Sequence, residues 1–146
     1  MVGRRADQGR ARYALIVIDA SALVDLLLRL PAAAAIEQRL WLDGAAPAAP
    51  HLIDVETVQA LRRLAAVGAM NPDRAERAFA ALAAFPIRRF AHAPLLGRVW
   101  RLRHALTAYD AVYVALAEAL GAPLLTSDAR LGRATGHRAV IEVFER

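Results

Sequence analysis

The chain has 146 residues, of which 58% are hydrophobic and 23% charged, enough for one domain with a real core and too apolar for a disordered segment. It contains no cysteine, which excludes a disulfide framework and a thiolate-ligated zinc site. All 19 cationic side chains are arginine and the net charge is +5, a balance suited to a polyanionic partner such as nucleic acid or an acidic protein.

Residues 1–12 are polar, basic and without periodicity, and read as an arm ahead of a single domain over 13–146. Arg4, Arg5, Arg10 and Arg12 followed by an apolar run from Tyr13 to Leu30 imitate an export signal. Asp19 and Asp25 interrupt that run, and a carboxylate inside a signal or membrane span is costly. The expectation is a soluble, cytoplasmic protein with no membrane partner.

Residues 14–18 (ALIVI) form an unbroken apolar run rich in β-branched side chains, the pattern of a strand buried on both faces. Ser21 to Leu30 switches to helical spacing and stops at Pro31. A second helix, about Ala32 to Leu42, ends at Asp43-Gly44. The prolines of Ala45–Pro50 argue against a central strand and leave room for a short one. Ile53 to Val67 is a helix with Val55, Val58 and Leu61 on one side, closed by Gly68. Asn71-Pro72-Asp73 opens another helix that runs to about Phe85, and Pro86–Ala91 suggests a strand.

Leu95 to Ala105 and Thr107 to Leu120 are helical, the second ended by Gly121. Pro123–Thr126 is a short buried strand, Ser127-Asp128 begins a helical turn to about Leu131, and Val140–Phe144 is the last strand. Strands spaced by helices imply an α/β fold: three layers, with a mostly parallel sheet of four to five strands between helices.

Four acids fall at strand ends or helix starts: Asp19, Glu56, Asp110 and Asp128. Singly, each has a plain structural role. Asp19 and Asp128 suit N-caps, Glu56 lies in a first helical turn, and Asp110 is the third residue of a Thr107 capping box. Together they suggest more. In a doubly wound sheet the first and fourth strands are neighbours at the switch point, so Asp19 and Asp128 face one crevice. Clustered carboxylates repel one another, and a hard divalent cation relieves that repulsion, so Mg²⁺ or Mn²⁺ is expected over zinc. Such ions catalyse phosphodiester hydrolysis.

The segments IVIDASALVDLLL, DVETVQALRR and LTAYDAVYVALAEALGAPLLTSDARL resemble the PIN domain, in particular the VapC-type toxin nucleases. The resemblance spans nearly the whole chain from Tyr13, with no family motif between Ala69 and Ala93. It implies that Asp19, Glu56, Asp110 and Asp128 hold one or two Mg²⁺ or Mn²⁺ ions, with the hydroxyls of Ser21 and Thr126 in support. It further implies a metal-dependent endoribonuclease that cuts transfer RNA or a ribosomal RNA loop. The expected partners are a cognate antitoxin and a second copy of the chain. The arginine-rich arm departs from the family pattern.

Asp54 competes with Glu56, and the two lie on roughly opposite faces of their helix. Asp25, one turn beyond Ser21, could reach the cleft, against the plainer reading of a solvated acid. Arg98, Arg101 and Arg103 are candidate RNA contacts, against the plainer reading of a solvated charged face. Trp41 and Trp100 suit base stacking or, for Trp41, packing in a core or dimer interface. The four histidines show no ligand spacing and suit surface or packing roles. The absence of lysine argues against a phosphoacceptor receiver, and no P-loop motif supports nucleotide binding. A non-catalytic RNA- or protein-binding module on the same fold is the remaining alternative, and the presence of all four acids weighs against it.

Overall fold

The computed structural model describes residues 12–146, so the expected basic arm, apart from Arg12, lies outside the described residues. Five parallel strands form one sheet: β1 (Leu15–Ile18), β2 (Ala46–Pro50), β3 (Arg88–Phe90), β4 (Leu124–Thr126) and β5 (Ile141–Val143), in the order β3-β2-β1-β4-β5. Among the described residues seven α-helices connect them: α1 (Ala20–Leu28), α2 (Ala33–Asp43), α3 (Leu52–Ala66), α4 (Pro72–Ala84), α5 (Leu96–Arg101), α6 (Ala108–Leu120) and α7 (Ala129–Gly132). The architecture is the expected three-layer α/β/α arrangement. On one side α1 packs with α2, α3 and α4; on the other, α5 packs on α6, which lies against β1 and β2. Among the described residues no helix is long and apolar enough to cross a membrane.

The register explains how a strand with two prolines sits inside the sheet. Backbone N–H groups along β2 point alternately to its two neighbours. Ala46 N–H donates to Ala14 on the β1 side, and His51 N–H to Phe90 on the β3 side. Pro47 therefore faces β3, whose pairing begins only opposite Ala48. Pro50 faces β1, whose pairing has already ended opposite Ala48. Neither missing donor removes a ladder bond, so the usual objection to proline in a central strand does not apply.

The core runs through the sheet and into α6, where every residue from Ala111 to Ala117 is buried. That central stretch is apolar nearly all round because it is covered on both sides, by the sheet and by α5. Its ends obey local chemistry: Thr107 Oγ1 accepts from Asp110 N–H (3.2 Å), and Gly121 closes it with φ +59°. Asn71 caps α4 the same way, with Pro72 at the first helical position. The helix α1 stops two residues before the expected end, because Arg29 adopts a left-handed conformation ahead of the Leu30-Pro31 pair. At the far edge, a Cβ on Gly132 would collide with Val143 Cγ2, so glycine there lets α7 close on β5.

Three expectations need correction. On α3 the buried stripe is Ile53, Thr57 and Leu61, at i, i+4, i+8; Val55 (69% exposed) and Val58 point away from the core toward Phe79 of α4. Trp41 is 73% exposed on α2 and is not a core residue. Asp25 is not solvated: it is fully buried, because the turn after β4 covers that side of α1.

Candidate active site

Because the sheet is parallel and β1 lies beside β4, the chain leaves both strands at the same edge. A cleft of about 730 Å³ opens there, and its lining includes Asp19, Glu56, Asp110 and Asp128. This is the carboxyl edge of an α/β sheet at its switch point, where such folds bind ligands.

Asp19 ends β1 and caps α1, its Oδ1 accepting from Ala22 N–H (2.9 Å). Ser21 Oγ donates to the same oxygen at 2.6 Å, and Thr126 Oγ1, from the last residue of β4, donates to Oδ2. The two hydroxyls are themselves oriented by the turn after β4. Ser127 N–H donates to Ser21 Oγ (2.9 Å) and Asp128 N–H to Thr126 Oγ1 (3.0 Å), which commits both hydroxyl protons to Asp19. Burial pushes the Asp19 carboxyl above the ordinary aspartate range; its three donors pull it down, and nearby Asp110 pushes it up again.

Glu56 projects from α3 into the cleft, while Asp54 lies outside it, gripped by Arg89 through two hydrogen bonds of 2.6 and 2.7 Å. Burial raises the Glu56 carboxyl and Asp110 and Asp19 add to the rise, opposed by the approaching Tyr113 hydroxyl. That approach falls short of hydrogen-bond geometry, leaving both Glu56 Oε1 and Tyr113 Oη buried without a partner. Asp110 is likewise raised, by burial first and then by Asp128. Asp128 goes the other way: Arg130 holds both its oxygens, at 3.0 and 3.2 Å, and lowers it.

The donor set suits a hard cation. It consists of carboxylates alone, one of them with a buried oxygen that no protein donor satisfies. Among the described residues, however, no three such side chains stand close enough to grip one ion as they are placed. Asp128 would have to exchange Arg130 for the ion.

The structure does not bring Arg98, Arg101 or Arg103 to the cleft. Arg98 is committed to Glu118 through bonds of 2.7 and 3.0 Å, and Arg103 stacks on exposed Trp100 at 4.5 Å. The arginines that line the cleft are Arg63, Arg130 and Arg146. Tyr113 was legible as lying one turn beyond Asp110 and hence on its face. Arg146 carried no local signal, since only the sheet brings β5 near α1. His92 has a packing role: its Nε2 accepts from Leu52 N–H (2.9 Å) and caps α3 from another segment.

A family model for the PIN domain matches residues 16–136. Two curated relatives from Mycobacterium tuberculosis are similar over most of their length. Ribonuclease VapC12 is 40% identical over 129 residues, covering 88% of this chain and 98% of the relative. Ribonuclease VapC1 is 45% identical over 121 residues, covering 82% and 90%. Among solved structures, PAE2754 from Pyrobaculum aerophilum superposes with a TM-score of 0.64 at 26% identity, covering 94% of this chain and 89% of that one. VapBC2 from Rickettsia felis, bound to a promoter DNA fragment, shares the fold with a TM-score of 0.65 at 11% identity, covering 90% and 99%. With the matched model spanning most of the domain and relatives at 40% and 45% identity, the chain belongs to the PIN-domain family, in its VapC branch.

Proposed function

We propose that this protein is a metal-dependent endoribonuclease, the toxin of a toxin–antitoxin pair, hydrolysing phosphodiester bonds of a transfer RNA or a ribosomal RNA loop. The observation that carries the reading is the convergence of Asp19, Glu56 and Asp110 on one cleft, where burial first and neighbouring cleft acids second push all three carboxyls up. Capping accounts for Asp19 and Asp128 singly but not for the gathering of all four, and among the described residues only Asp128 of the four is paired with a cation. Relatives named as ribonucleases support RNA as the substrate.

In this reading Asp19, Glu56, Asp110 and Asp128 would hold one or two Mg²⁺ or Mn²⁺ ions. Such an ion, when bound, activates water and offsets charge on the phosphate. Asp19 is the rigid member: two hydroxyls and an amide fix its carboxylate before anything binds. Arg63, exposed on the cleft wall, offers charge to the RNA backbone, so binding should weaken as salt rises. A cognate antitoxin and a second copy of the chain are the partners this assignment carries with it.

The test is cleavage of total cellular RNA by the purified, antitoxin-free protein with Mg²⁺ or Mn²⁺, with EDTA, and beside Asp19→Asn. Discrete fragments that require both the metal and Asp19 are expected, and mapping their ends names the target. A folded wild type that neither cleaves nor binds metal would leave the non-catalytic module as the better account.

A further inference from the structure

Asp25 is fully buried on α1 and is not one of the four cleft acids, yet it is tied to them. Ser127 Oγ donates to its Oδ2, and Ser127 N–H donates to Ser21 Oγ, which in turn holds Asp19. The cation facing Asp25 is Arg146, just beyond β5: its Nε donates to Oδ2 at 3.3 Å and lies 2.9 Å from Oδ1 as an ion pair, an oxygen with no hydrogen-bond partner among the described residues. A buried carboxylate needs such a partner. The partner, by contrast, is not buried: the Arg146 side chain is 52% exposed and lines the same cleft as Asp19, Glu56 and Asp110.

Only Nε of Arg146 is engaged; among the described residues its two Nη groups meet no acceptor. A guanidinium is planar, so anchoring Nε on a fixed carboxylate also fixes the direction of the Nη groups. The donors left over match the spacing of phosphate oxygens. The other cleft arginines lack this arrangement. Arg130 is spent on Asp128, and Arg63 has no anchor among the described residues.

We infer that Arg146 binds a phosphate of the RNA in the cleft, with Asp25 as the positioning residue that aims it. The inference rests on the nuclease reading above. It goes further by naming a contact outside the acidic set and a reason for burying Asp25.

The experiment measures equilibrium binding of a mixed-sequence single-stranded RNA pool across a salt series, without divalent metal. The parent protein carries Asp110→Asn to prevent cleavage, and is compared with Arg146→Gln, Asp25→Asn and the Asp25→Asn/Arg146→Gln double variant. Loss of one phosphate contact on a single strand should make the plot of log affinity against log salt shallower by about 0.7. Arg146→Gln alone leaves a buried charge and can lose stability; the double variant removes that charge, and a thermal melt shows whether folding is restored. A well-folded double variant with the shallower slope is the expected result. If that variant binds with the parent's affinity and slope, Arg146 merely neutralises Asp25 and the inference fails while the nuclease reading stands. A folded parent that binds no RNA also overturns the inference, while the nuclease reading is decided separately by the cleavage assay above.

Discussion

The two ends of α6 carry one acid each, and their electrostatics are opposite. Asp110 sits in the first turn, where the helix dipole favours a negative charge, yet its carboxyl is raised. Glu118 sits in the last turns, where the dipole disfavours one, yet its carboxyl is lowered. The dipole is worth about 0.3–1 kcal/mol at such positions, so neighbours decide the outcome. Glu118 accepts two bonds from Arg98 and one of 2.8 Å from Arg138 N–H. Asp110 has burial and Asp128 against it, with only a weak opposing pull from Thr107 and Arg130. One end of the helix is built to hold the sheet and α5 together; the other is kept short of cations, which is the state a metal or a phosphate-bound ion would relieve.

The largest effect expected from breaking this contrast is at Asp110. Asp110→Asn should lower RNA cleavage by about 10²–10³-fold or more, the scale seen when one transition-state stabiliser is removed. The same variant should fold more stably at neutral pH. Because the folded carboxyl titrates above the ordinary value of 3.8, its penalty on the wild type is absent below that value and grows as pH rises through the folded pKa. Denaturant melts should therefore converge in acid and separate above it. A variant less stable than wild type at pH 7 would contradict the electrostatic account.

At the other end, Arg98→Ala strands Glu118, whose side chain is only 6% exposed. A loss of about 1–3 kcal/mol is expected, below the full cost of a completely buried pair because Arg98 is partly solvated. Glu118 is lowered in the folded state, so the pair's contribution is complete above the ordinary value of 4.5 and disappears as pH falls through the folded pKa. Cleavage by the folded variant should match the wild type. A selective drop in RNA binding would instead return Arg98 to the substrate and undo the contrast between the two ends.

The smallest effect concerns the one paired acid of the cleft. Freeing Asp128 with Arg130→Gln should tighten Mn²⁺ binding in the absence of RNA by a factor of about two to five, the range of exposed ion pairs. Calorimetric titration reads this directly, and weaker binding would mean that Arg130 orients Asp128 rather than competing for it.

Most elements were legible because their signals are local. ALIVI and PLLT are apolar enough to be buried strands, and Asn71, Thr107 and Gly121 act on backbone groups within a few residues of themselves. The acids were legible as a set because each marks a strand end or helix start, positions that a parallel sheet gathers along one edge. The α3 stripe was misread because Val55 and Val58 have the same periodicity as the true core positions Ile53, Thr57 and Leu61; periodicity alone gives two faces of one helix. Asp25 was misread because what covers it, the Ser127 turn and Arg146, lies more than 100 residues away.

The sequence by itself determined the element order, the helix caps, the family and the acids worth testing, since those depend on spacing along the chain. Tertiary structure alone decided which charges were paired. Arg89 takes Asp54 out of contention, Arg98 goes to Glu118, and Arg146 reaches Asp25 because β5 lies beside β4. The physical reason is range. A cap or a strand is set by atoms a few bonds apart, whereas an ion pair is set by whichever distant segments the sheet order makes neighbours.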